Sequence, residues 1–328
     1  MAPWPLPFAG LAVLFLSLVQ TVRSYSDPEG CSGDCFTHDP SLVQRHDGTY
    51  FRFSTLDRIG IWTAEDLSGP WNRSGSVLPN GSVIDLPGNK ELWAPDVSYY
   101  RGAYYLFYAV STPGSQTSAI GYATSPTLEE GSWTDHGALI TSNASTPYNA
   151  IDPNVVNGTA ADEFFLTWGS YWGDIYQARA TVDGSRILTS ADERQIAYNP
   201  ADQHQMEGAF VYRRDGWYYL FISVGDCCHY DPRPPSGHEY RITVCRSPSP
   251  GGPFVDRAGV SCTEGGGTTV LASHGDVYAP GGQGVFHDGA YGDVLYYHYL
   301  NNTIGVDYSQ SQFGWNVIAW DEDGWPVV

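Results

Sequence analysis

Four acidic residues occupy similar positions in the chain, each roughly ten residues before a short run rich in tyrosine and phenylalanine. They are Asp39, Asp96, Asp152 and Glu207. Asp-Pro and Ala-Pro-Asp sequences are common turn formers, so any one of these residues alone is better explained as part of a turn. Four at one offset instead predict that their carboxyl groups meet in one cluster, where such groups can hold and transfer protons.

The aromatic runs form an internal repeat that can bring these residues together. Their anchors are Tyr50, Tyr104, Phe164, Tyr218 and Tyr296, separated by steps of 54, 60, 54 and 78 residues. A turn signal followed by β-branched and aromatic residues predicts a strand at each run. Five units at this spacing predict an all-β fold, a five-bladed β-propeller in a single domain over residues 25–328. A two-sheet sandwich is the alternative, but the spacing is too long for one hairpin.

The composition narrows the classes of protein. The chain has 16 Lys and Arg against 36 Asp and Glu, a net charge of −20, and 14% of its residues are aromatic. So few cations argue against nucleic-acid binding, because little would neutralise the phosphates. The aromatic content argues against a disordered acidic chain, and the many Gly and Tyr residues argue against a long helical bundle.

The N-terminus has the pattern of a signal peptide over residues 1–24. Its apolar stretch from Phe8 to Val19 is short for a membrane span, which is the alternative. No later stretch is apolar enough to cross a membrane. Glycosylation sequons follow at Asn72, Asn80, Asn143, Asn157 and Asn301. Together these features predict a glycosylated protein secreted to the extracellular space.

Six cysteines fit an oxidising compartment and allow fifteen disulfide connectivities. The candidate pairs are Cys31–Cys35, Cys245–Cys262 and Cys227–Cys228. The first would close a short loop and the second flanks a turn rich in Pro and Gly, whereas a bond between adjacent cysteines would be strained. A zinc site is the alternative, but no Cys-x-x-Cys pair with a flanking histidine supports it.

Several of these sequences resemble the arabinanases of glycoside hydrolase family 43. The resemblance runs collinearly over nearly all of residues 25–328. The strings that carry it are His38–Ser41, Leu92–Val97, Gly102–Ser111, Thr117–Gly121, Ala150–Asn154, Trp168–Trp172 and Glu207 with Tyr218–Cys228. That family folds as a five-bladed β-propeller, which agrees with the repeat.

The resemblance implies roles for three of the carboxyl groups. Asp39 matches the general base that activates water, and Glu207 matches the general acid that protonates the leaving oxygen. Asp152 matches a carboxylate that orients the acid and raises its pKa, as a nearby like charge does. Family members invert the anomeric centre, which requires a base and an acid roughly 6.5–9.5 Å apart with a water between them.

The resemblance also suggests which residues contact the sugar. Trp93 matches a residue that packs on the sugar ring, and Trp172, Tyr171 and Tyr108 are candidates for further stacking, because sugar rings present C–H faces to aromatic rings. The other residues expected to line the cleft are His38, Asp96, Asn149 and Ser170.

His298 matches a histidine that in many arabinanases lies beside a hydrated metal ion, usually calcium. Because calcium prefers oxygen ligands, water would have to supply most of its coordination shell. The alternative is a hydrogen-bonded histidine without metal. No organic cofactor is expected, and the protein is expected to be a monomer.

The resemblance implies a secreted endo-1,5-α-L-arabinanase that cleaves the arabinan side chains of pectin. The chain departs from the family pattern at Glu207–Ala209, where Glu-Ala-Pro is common, and at Gly281–Gly284, where Gly-His-Asn is common. These departures leave exo-acting α-L-arabinofuranosidase or β-xylosidase activity open. A non-catalytic carbohydrate-binding propeller is the alternative of another class, but it predicts the loss of at least one of the three carboxylates.

Overall fold

The computed structural model describes residue 1 and residues 25–160, 162–183, 186–201 and 203–328. Over these ranges the regular secondary structure consists of β-strands and two short 3₁₀-helices, Cys262–Glu264 and Tyr308–Gln310. The predicted signal peptide, apart from Met1, lies outside the described residues. Within the described ranges, no helix has the length and apolar character needed to cross a membrane.

The strands form antiparallel blades in chain order. Blade one consists of β1 (Ser41–Gln44), β2 (Tyr50–Ser54), β3 (Gly60–Ala64) and β4 (Asn72–Ser76). Blade two consists of β5 (Trp93–Tyr100), β6 (Ala103–Val110), β7 (Ser118–Ser125) and β8 (Thr134–Ser142). Blade three consists of β9 (Asn154–Asn157), β10 (Glu163–Trp168), β11 (Ile175–Asp183), β12 (Arg186–Thr189) and β13 (Arg194–Ala197).

Blade four consists of β14 (Met206–Arg214), β15 (Trp217–Val224), β16 (Arg241–Ser247) and β17 (Thr268–Leu271). Blade five consists of β18 (Val277–Asp288), β19 (Gly292–Asn301) and β20 (Gln312–Val317). A final hairpin pairs β21 (Ala319–Trp320) with β22 (Pro326–Val327).

The first strand of each blade surrounds the axis of the molecule. Strands β1, β5, β9, β14 and β18 contact one another in this order, and β18 contacts β1 again. This closed ring confirms the predicted five-bladed β-propeller and its single domain. Loops that precede these strands in different blades are therefore brought together near the axis.

Each repeated aromatic run is the second strand of its blade, and its composition follows from burial on both faces. Alternate residues of a strand point to opposite faces. Thus Tyr104 and Leu106 pack in the apolar cluster between blades one and two, whereas Tyr105 and Phe107 pack in the cluster between blades two and three. Over the described residues, an equivalent cluster lies at each of the five blade interfaces. A strand buried on both faces reads as one continuous apolar run.

The segment before β1 joins the last blade to the first. The backbone N–H of Glu29 donates to the carbonyl of Trp315, and that of Phe313 donates to the carbonyl of Cys35. This segment therefore lies along β20 as an irregular fourth strand of blade five. It then continues into β1, so the chain itself closes the ring.

The structure forms all three candidate disulfides, Cys31–Cys35, Cys227–Cys228 and Cys245–Cys262. All six cysteines lie in the described ranges and are bonded, which removes the zinc alternative. The sequon residues Asn72, Asn80, Asn143 and Asn157 are exposed, and Asn301 is half-buried. Glycosylation itself stays a prediction.

Candidate active site

A left-handed backbone residue recurs just before or within the first strand of all five blades. The angle φ is +45° at Asp39, +46° at Ala94, +55° at Asp152, +59° at Gly208 and +57° at Gly282. Non-glycine residues rarely adopt this conformation, so its repetition indicates a turn imposed by the fold. Residues at this turn or directly before it, in all five blades, line one central cavity.

The strand register corrects the predicted alignment of the four acidic residues. Asp39 and Asp152 stand two residues before Ser41 and Asn154, which pair with equivalent residues of the second strands. In blades two and four the equivalent pairing residues are Asp96 and Phe210. Glu207 therefore corresponds to Trp93 rather than to Asp96. The hairpin between the first and second strands differs in length from blade to blade. A count of residues back from the aromatic run therefore does not give the position of an acidic residue along the first strand.

Three of the predicted carboxyl groups nevertheless converge. Asp39, Asp152 and Glu207 line a cavity of about 370 Å³, which we call the base-side cavity. A second cavity of about 530 Å³, the acid-side cavity, shares Glu207, Trp93 and Ile151 with it. Of the three carboxyl groups, Glu207 alone lines both cavities. It therefore stands at the junction of two adjoining cavities on this face of the propeller.

Two hydroxyl groups hold the carboxyl group of Glu207. The Ser170 hydroxyl donates to Oε2, and the Tyr240 hydroxyl donates to Oε1. Burial raises the pKa of Glu207, while these two hydrogen bonds lower it and the charge of Asp39 raises it. The net direction is upward, which suits a group that must carry a proton to a substrate.

Tyr240 is a site residue that the sequence analysis missed. It lies at the end of the loop between β15 and β16, outside every repeated motif, and only 3% of its surface is exposed. Burial and the neighbouring charge of Glu207 raise the pKa of Tyr240 well above its ordinary value. Its hydroxyl therefore stays protonated and remains a hydrogen-bond donor. No sequence signal distinguishes it from the other tyrosines of the chain.

Asp152 contacts the backbone beside the acid. Its Oδ2 accepts a hydrogen bond of 3.1 Å from the N–H of Gly208, the residue after Glu207. Burial raises the pKa of Asp152 well above its ordinary value, and the charges of Glu207 and Asp39 raise it further. Because the three carboxyl groups interact, each proton bound by one changes the affinity of the others for protons.

Asp39 is held by a hydroxyl group and by two histidines. The Thr55 hydroxyl donates to its Oδ2 at 2.8 Å, and its own backbone N–H donates to Nδ1 of His298 at 3.1 Å. His38 stacks on His298 with ring centroids 4.0 Å apart, and its Nε2 lies 3.6 Å from Oδ2 of Asp39. Burial raises the pKa of Asp39, opposed by His298 and by the hydrogen bond from Thr55.

Both histidines beside Asp39 are neutral at ordinary pH. Burial lowers the pKa of His38 to about 3 and that of His298 to about 3. Their contacts with Asp39 are therefore polar contacts between a carboxyl group and a neutral ring. The structure thus places His38 in the wall of the base-side cavity, in contact with the candidate base.

Asp96 lies beneath the cleft, which corrects its predicted place in it. Its carboxylate accepts hydrogen bonds from the side-chain amide of Asn154 and from the N–H of Val155, at 3.2 and 2.9 Å. It lines neither the base-side nor the acid-side cavity, but a small axial one of about 40 Å³. Burial raises the pKa of Asp96 to about 7. Its contacts join blade two to blade three.

The other predicted sugar contacts divide between the cleft and the core. Trp93 lines both cavities, and Trp172, which is 40% exposed, lines the acid-side cavity together with Tyr171. Asn149 and Ser170 line the acid-side cavity as well. Tyr108 is different, and the expectation that it stacks on sugar is wrong. It is fully buried between blades one and two, where its hydroxyl donates to Asp135.

The two departures from the family pattern border the base-side cavity, which Gly208 and Gly282 line. Gln283 is buried, donates to the carbonyl of Gly208 at 2.7 Å and accepts a hydrogen bond from Ser223 at 2.8 Å. It therefore ties blade five to blade four below the acid. Gly208 adopts the left-handed turn and donates its N–H to Asp152. Both departures therefore contribute to the backbone that surrounds the carboxyl groups.

Comparisons with known proteins agree with this geometry. The family model for Glycosyl hydrolases family 43 matches residues 33–326. The chain belongs to this family. It is a glycoside hydrolase, and the predicted resemblance is confirmed. "Arabinan endo-1,5-alpha-L-arabinosidase A" of Aspergillus niger is 53% identical over 314 residues, which cover 95% of this chain and 96% of that protein.

Solved structures of arabinanases have the same fold. The endo-arabinanase from Bacillus licheniformis matches with a TM-score of 0.79 and 31% identity, over 91% of this chain and 99% of that one. An exo-1,5-alpha-L-arabinanase from a bovine ruminal metagenomic library matches with a TM-score of 0.78 and 29% identity, over 89% and 96%. The Cellvibrio cellulosa α-L-arabinanase complexed with arabinohexaose matches with a TM-score of 0.77 and 26% identity, over 93% and 96%.

Proposed function

We propose that this glycoside hydrolase is an endo-1,5-α-L-arabinanase. The observation that carries the proposal is the position of Glu207 at the junction of two cavities, with Asp39 and Asp152 beside it in one of them. A polysaccharide chain bound across both cavities would pass the carboxyl groups in mid-chain. The A. niger relative at 53% identity, named an arabinan endo-1,5-alpha-L-arabinosidase, supports arabinan as the substrate.

The proposed reaction is a single displacement with inversion. Asp39, in its ionised form, takes a proton from a water molecule, whose oxygen then attacks the anomeric carbon of the sugar in the base-side cavity. The bond from that carbon to the leaving oxygen breaks, and Glu207 gives its proton to that oxygen. Asp152 holds the backbone after Glu207 through its hydrogen bond from Gly208, and the mutual repulsion of the two carboxylates keeps a proton on the pair.

The residues around His298 do not suit a calcium ion. The nearest potential ligands are two neutral imidazole nitrogens and the carboxylate of Asp39, whereas calcium takes six to eight oxygen ligands. The small cavity against His298 measures about 10 Å³, room for about one water. Proton transfer between carboxyl groups and water requires no organic cofactor.

Linear arabinan is the substrate that tests the proposal. Endo action predicts that oligosaccharides of several lengths are released before monomer accumulates, measured by anion-exchange chromatography. Monomer alone from the first minutes would support the exo-acting α-L-arabinofuranosidase alternative, which the similarity to an exo-arabinanase keeps open. Activity on β-xylosides without activity on arabinan would favour a β-xylosidase. An inverting enzyme releases the β-anomer first, which proton NMR detects.

A protein without hydrolytic activity on any of these substrates would be a carbohydrate-binding propeller. The presence of all three carboxyl groups in one cavity argues against this alternative. We also propose that the protein is secreted and acts as a monomer. The N-terminal apolar stretch, the exposed sequons and the three disulfides support secretion. Size-exclusion chromatography with light scattering on protein recovered from a secretory host tests both statements.

A further inference from the structure

The loop Gly225–Tyr240, between β15 and β16, forms part of the wall of the base-side cavity. Its ends are held together, since the N–H of Tyr240 donates to the carbonyl of Asp226 and the N–H of Asp226 donates to the carbonyl of His238. Within the loop, Tyr230 is buried against Tyr278 of blade five, with ring centroids 5.1 Å apart. The loop is thus anchored at its base and at its middle.

This loop carries the Cys227–Cys228 disulfide into the cavity wall. Both cysteines line the base-side cavity and are half-buried. The Sγ of Cys228 lies 3.7 Å from Nε2 of His38, the residue that precedes the candidate base Asp39. Bonded sulfur atoms have no proton to donate, and they present a polarisable, largely apolar surface. Such a surface is suited to the C–H face of a sugar ring rather than to its hydroxyl groups.

The location of the disulfide assigns it to one side of the scissile bond. In the proposed reaction the general base acts on the sugar that keeps its anomeric carbon, and the general acid acts on the leaving sugar. Asp39 lines the base-side cavity but not the acid-side cavity. The disulfide shares the base-side cavity with Asp39, so it borders the glycone part of the substrate, while Trp172 borders the leaving part.

We propose that the Cys227–Cys228 disulfide is a substrate-contacting platform that determines affinity for the glycone part of the chain. This inference rests on the proposed arabinanase function. A contact made equally to substrate and transition state changes KM and leaves kcat nearly unchanged. A disulfide that only stabilised the loop would change thermal stability and the active fraction instead, without raising KM.

Kinetics of the double variant Cys227→Ser/Cys228→Ser test the proposal. We expect KM for linear arabino-oligosaccharides to rise about tenfold, with kcat within about twofold of the wild type. The matched control is Cys31→Ser/Cys35→Ser, which also removes one disulfide but lies at the seam of blades one and five, and it should keep the wild-type KM. An unchanged KM in the Cys227→Ser/Cys228→Ser protein would overturn the proposed platform while leaving the arabinanase function intact. If the wild type does not cleave arabinan, the proposed function is wrong, and the proposed platform is wrong with it.

Ligand protection provides a second test that does not require the cysteine variant to fold. In the Glu207→Gln protein saturated with arabinohexaose, as followed by tryptophan fluorescence, reduction of Cys227–Cys228 should slow at least about fivefold. Alkylation and mass spectrometry would measure the rate at each cysteine. The rate at Cys31–Cys35 should not change. Equal reduction of Cys227–Cys228 with and without saturating arabinohexaose would contradict the contact.

Discussion

The surroundings of the two proposed catalytic groups differ in kind. Glu207 is held by two hydroxyl donors that come from separate loops, Ser170 and Tyr240. Asp39 is flanked by two neutral, stacked imidazole rings and receives one hydroxyl donor, Thr55. Burial raises the pKa of both groups, and the local donors then lower it. Burial in the shared cleft therefore sets the upward direction of both pKa shifts, while the hydroxyl donors on each side lower the pKa of the group they contact.

Removal of either group should have the largest effect. We expect Asp39→Asn and Glu207→Gln each to lower kcat/KM on linear arabinan by about 10²–10⁴-fold. Asp96→Asn is the matched control, because Asp96 was predicted for the same cluster but lies beneath the cleft, and it should lose about threefold or less. A larger loss of kcat/KM in a folded Asp96→Asn protein would show that Asp96 belongs to the active site.

A substitution that crowds Asp39 but not Glu207 should have the next largest effect on activity. A Cβ at Gly282 would lie 2.6 Å from Oδ1 of Asp39 and 2.6 Å from Nδ1 of His298. Gly282→Ala should therefore displace the base and lower kcat by about 10²-fold, as displacements of about 1 Å do. Gly216→Ala is the control, since Gly216 also has a positive φ but no neighbour within 4 Å of the added Cβ. Equal losses in the two variants would mean that backbone strain, not the base, is responsible.

The pH profile of kcat/KM should separate the two sides. A hydroxyl donor stabilises an ionised carboxylate, so its removal raises the pKa of that group. Tyr240→Phe and Ser170→Ala should therefore move the alkaline limb upward by about one pH unit, because the acid stays protonated to higher pH. Thr55→Val should move the acidic limb upward instead. If the acid-side variants moved the acidic limb, the assignment of base and acid would be reversed.

Substitution of Asp174, which lies near Glu207, should have the smallest effect. We expect it to change the stability of the protein rather than the rate of catalysis. Asp174 is fully buried, its Oδ2 accepts a hydrogen bond from the N–H of Asn199, and among the described residues its Oδ1 has no hydrogen-bond partner. Burial raises the pKa of Asp174 to about 7. The folded state therefore holds this proton more tightly than the unfolded state, and the stability it contributes is full below about pH 4 and lost as the pH rises toward 7.

Asp174→Asn should remove this pH dependence. An asparagine keeps an acceptor for Asn199 and cannot ionise, so the free energy of unfolding at pH 7 should rise by roughly 2–3 kcal/mol relative to the wild type. At pH 4 the two proteins should be alike. Chemical denaturation at both pH values measures the difference. A variant less stable than the wild type at pH 7 would show that the aspartate is ionised and stabilised there.

The sequence was sufficient for the architecture because the second strands of the blades are buried on both faces. The anchors Tyr50, Tyr104, Phe164, Tyr218 and Tyr296 mark β2, β6, β10, β15 and β19. The repeat predicted that four acidic residues meet near the axis, and the resemblance to family 43 gave roles to the three of them that line the base-side cavity.

The sequence was not sufficient for the phase of these residues or for the contacts across blades. Asp96 and Glu207 each precede an aromatic run by roughly ten residues, but the register places Asp96 three residues further along its strand than Glu207. Tyr108 belongs to a repeated motif and Tyr240 does not, yet Tyr240 reaches the acid and Tyr108 is core. These differences depend on loop paths and strand pairing, which residue types alone do not encode.

The most direct test of the two roles is the dependence of each variant on the leaving group. A p-nitrophenyl glycoside of linear arabinotriose releases an acidic phenol that needs little protonation, whereas arabinan releases a sugar hydroxyl that needs a full proton. Glu207→Gln should lose at least about 10²-fold on arabinan but less than about tenfold on the aryl glycoside. Asp39→Asn should lose the same factor in activity on both substrates. A smaller loss of Asp39→Asn on the aryl glycoside than on arabinan, or equal losses of Glu207→Gln on the two substrates, would contradict the assignment of base and acid.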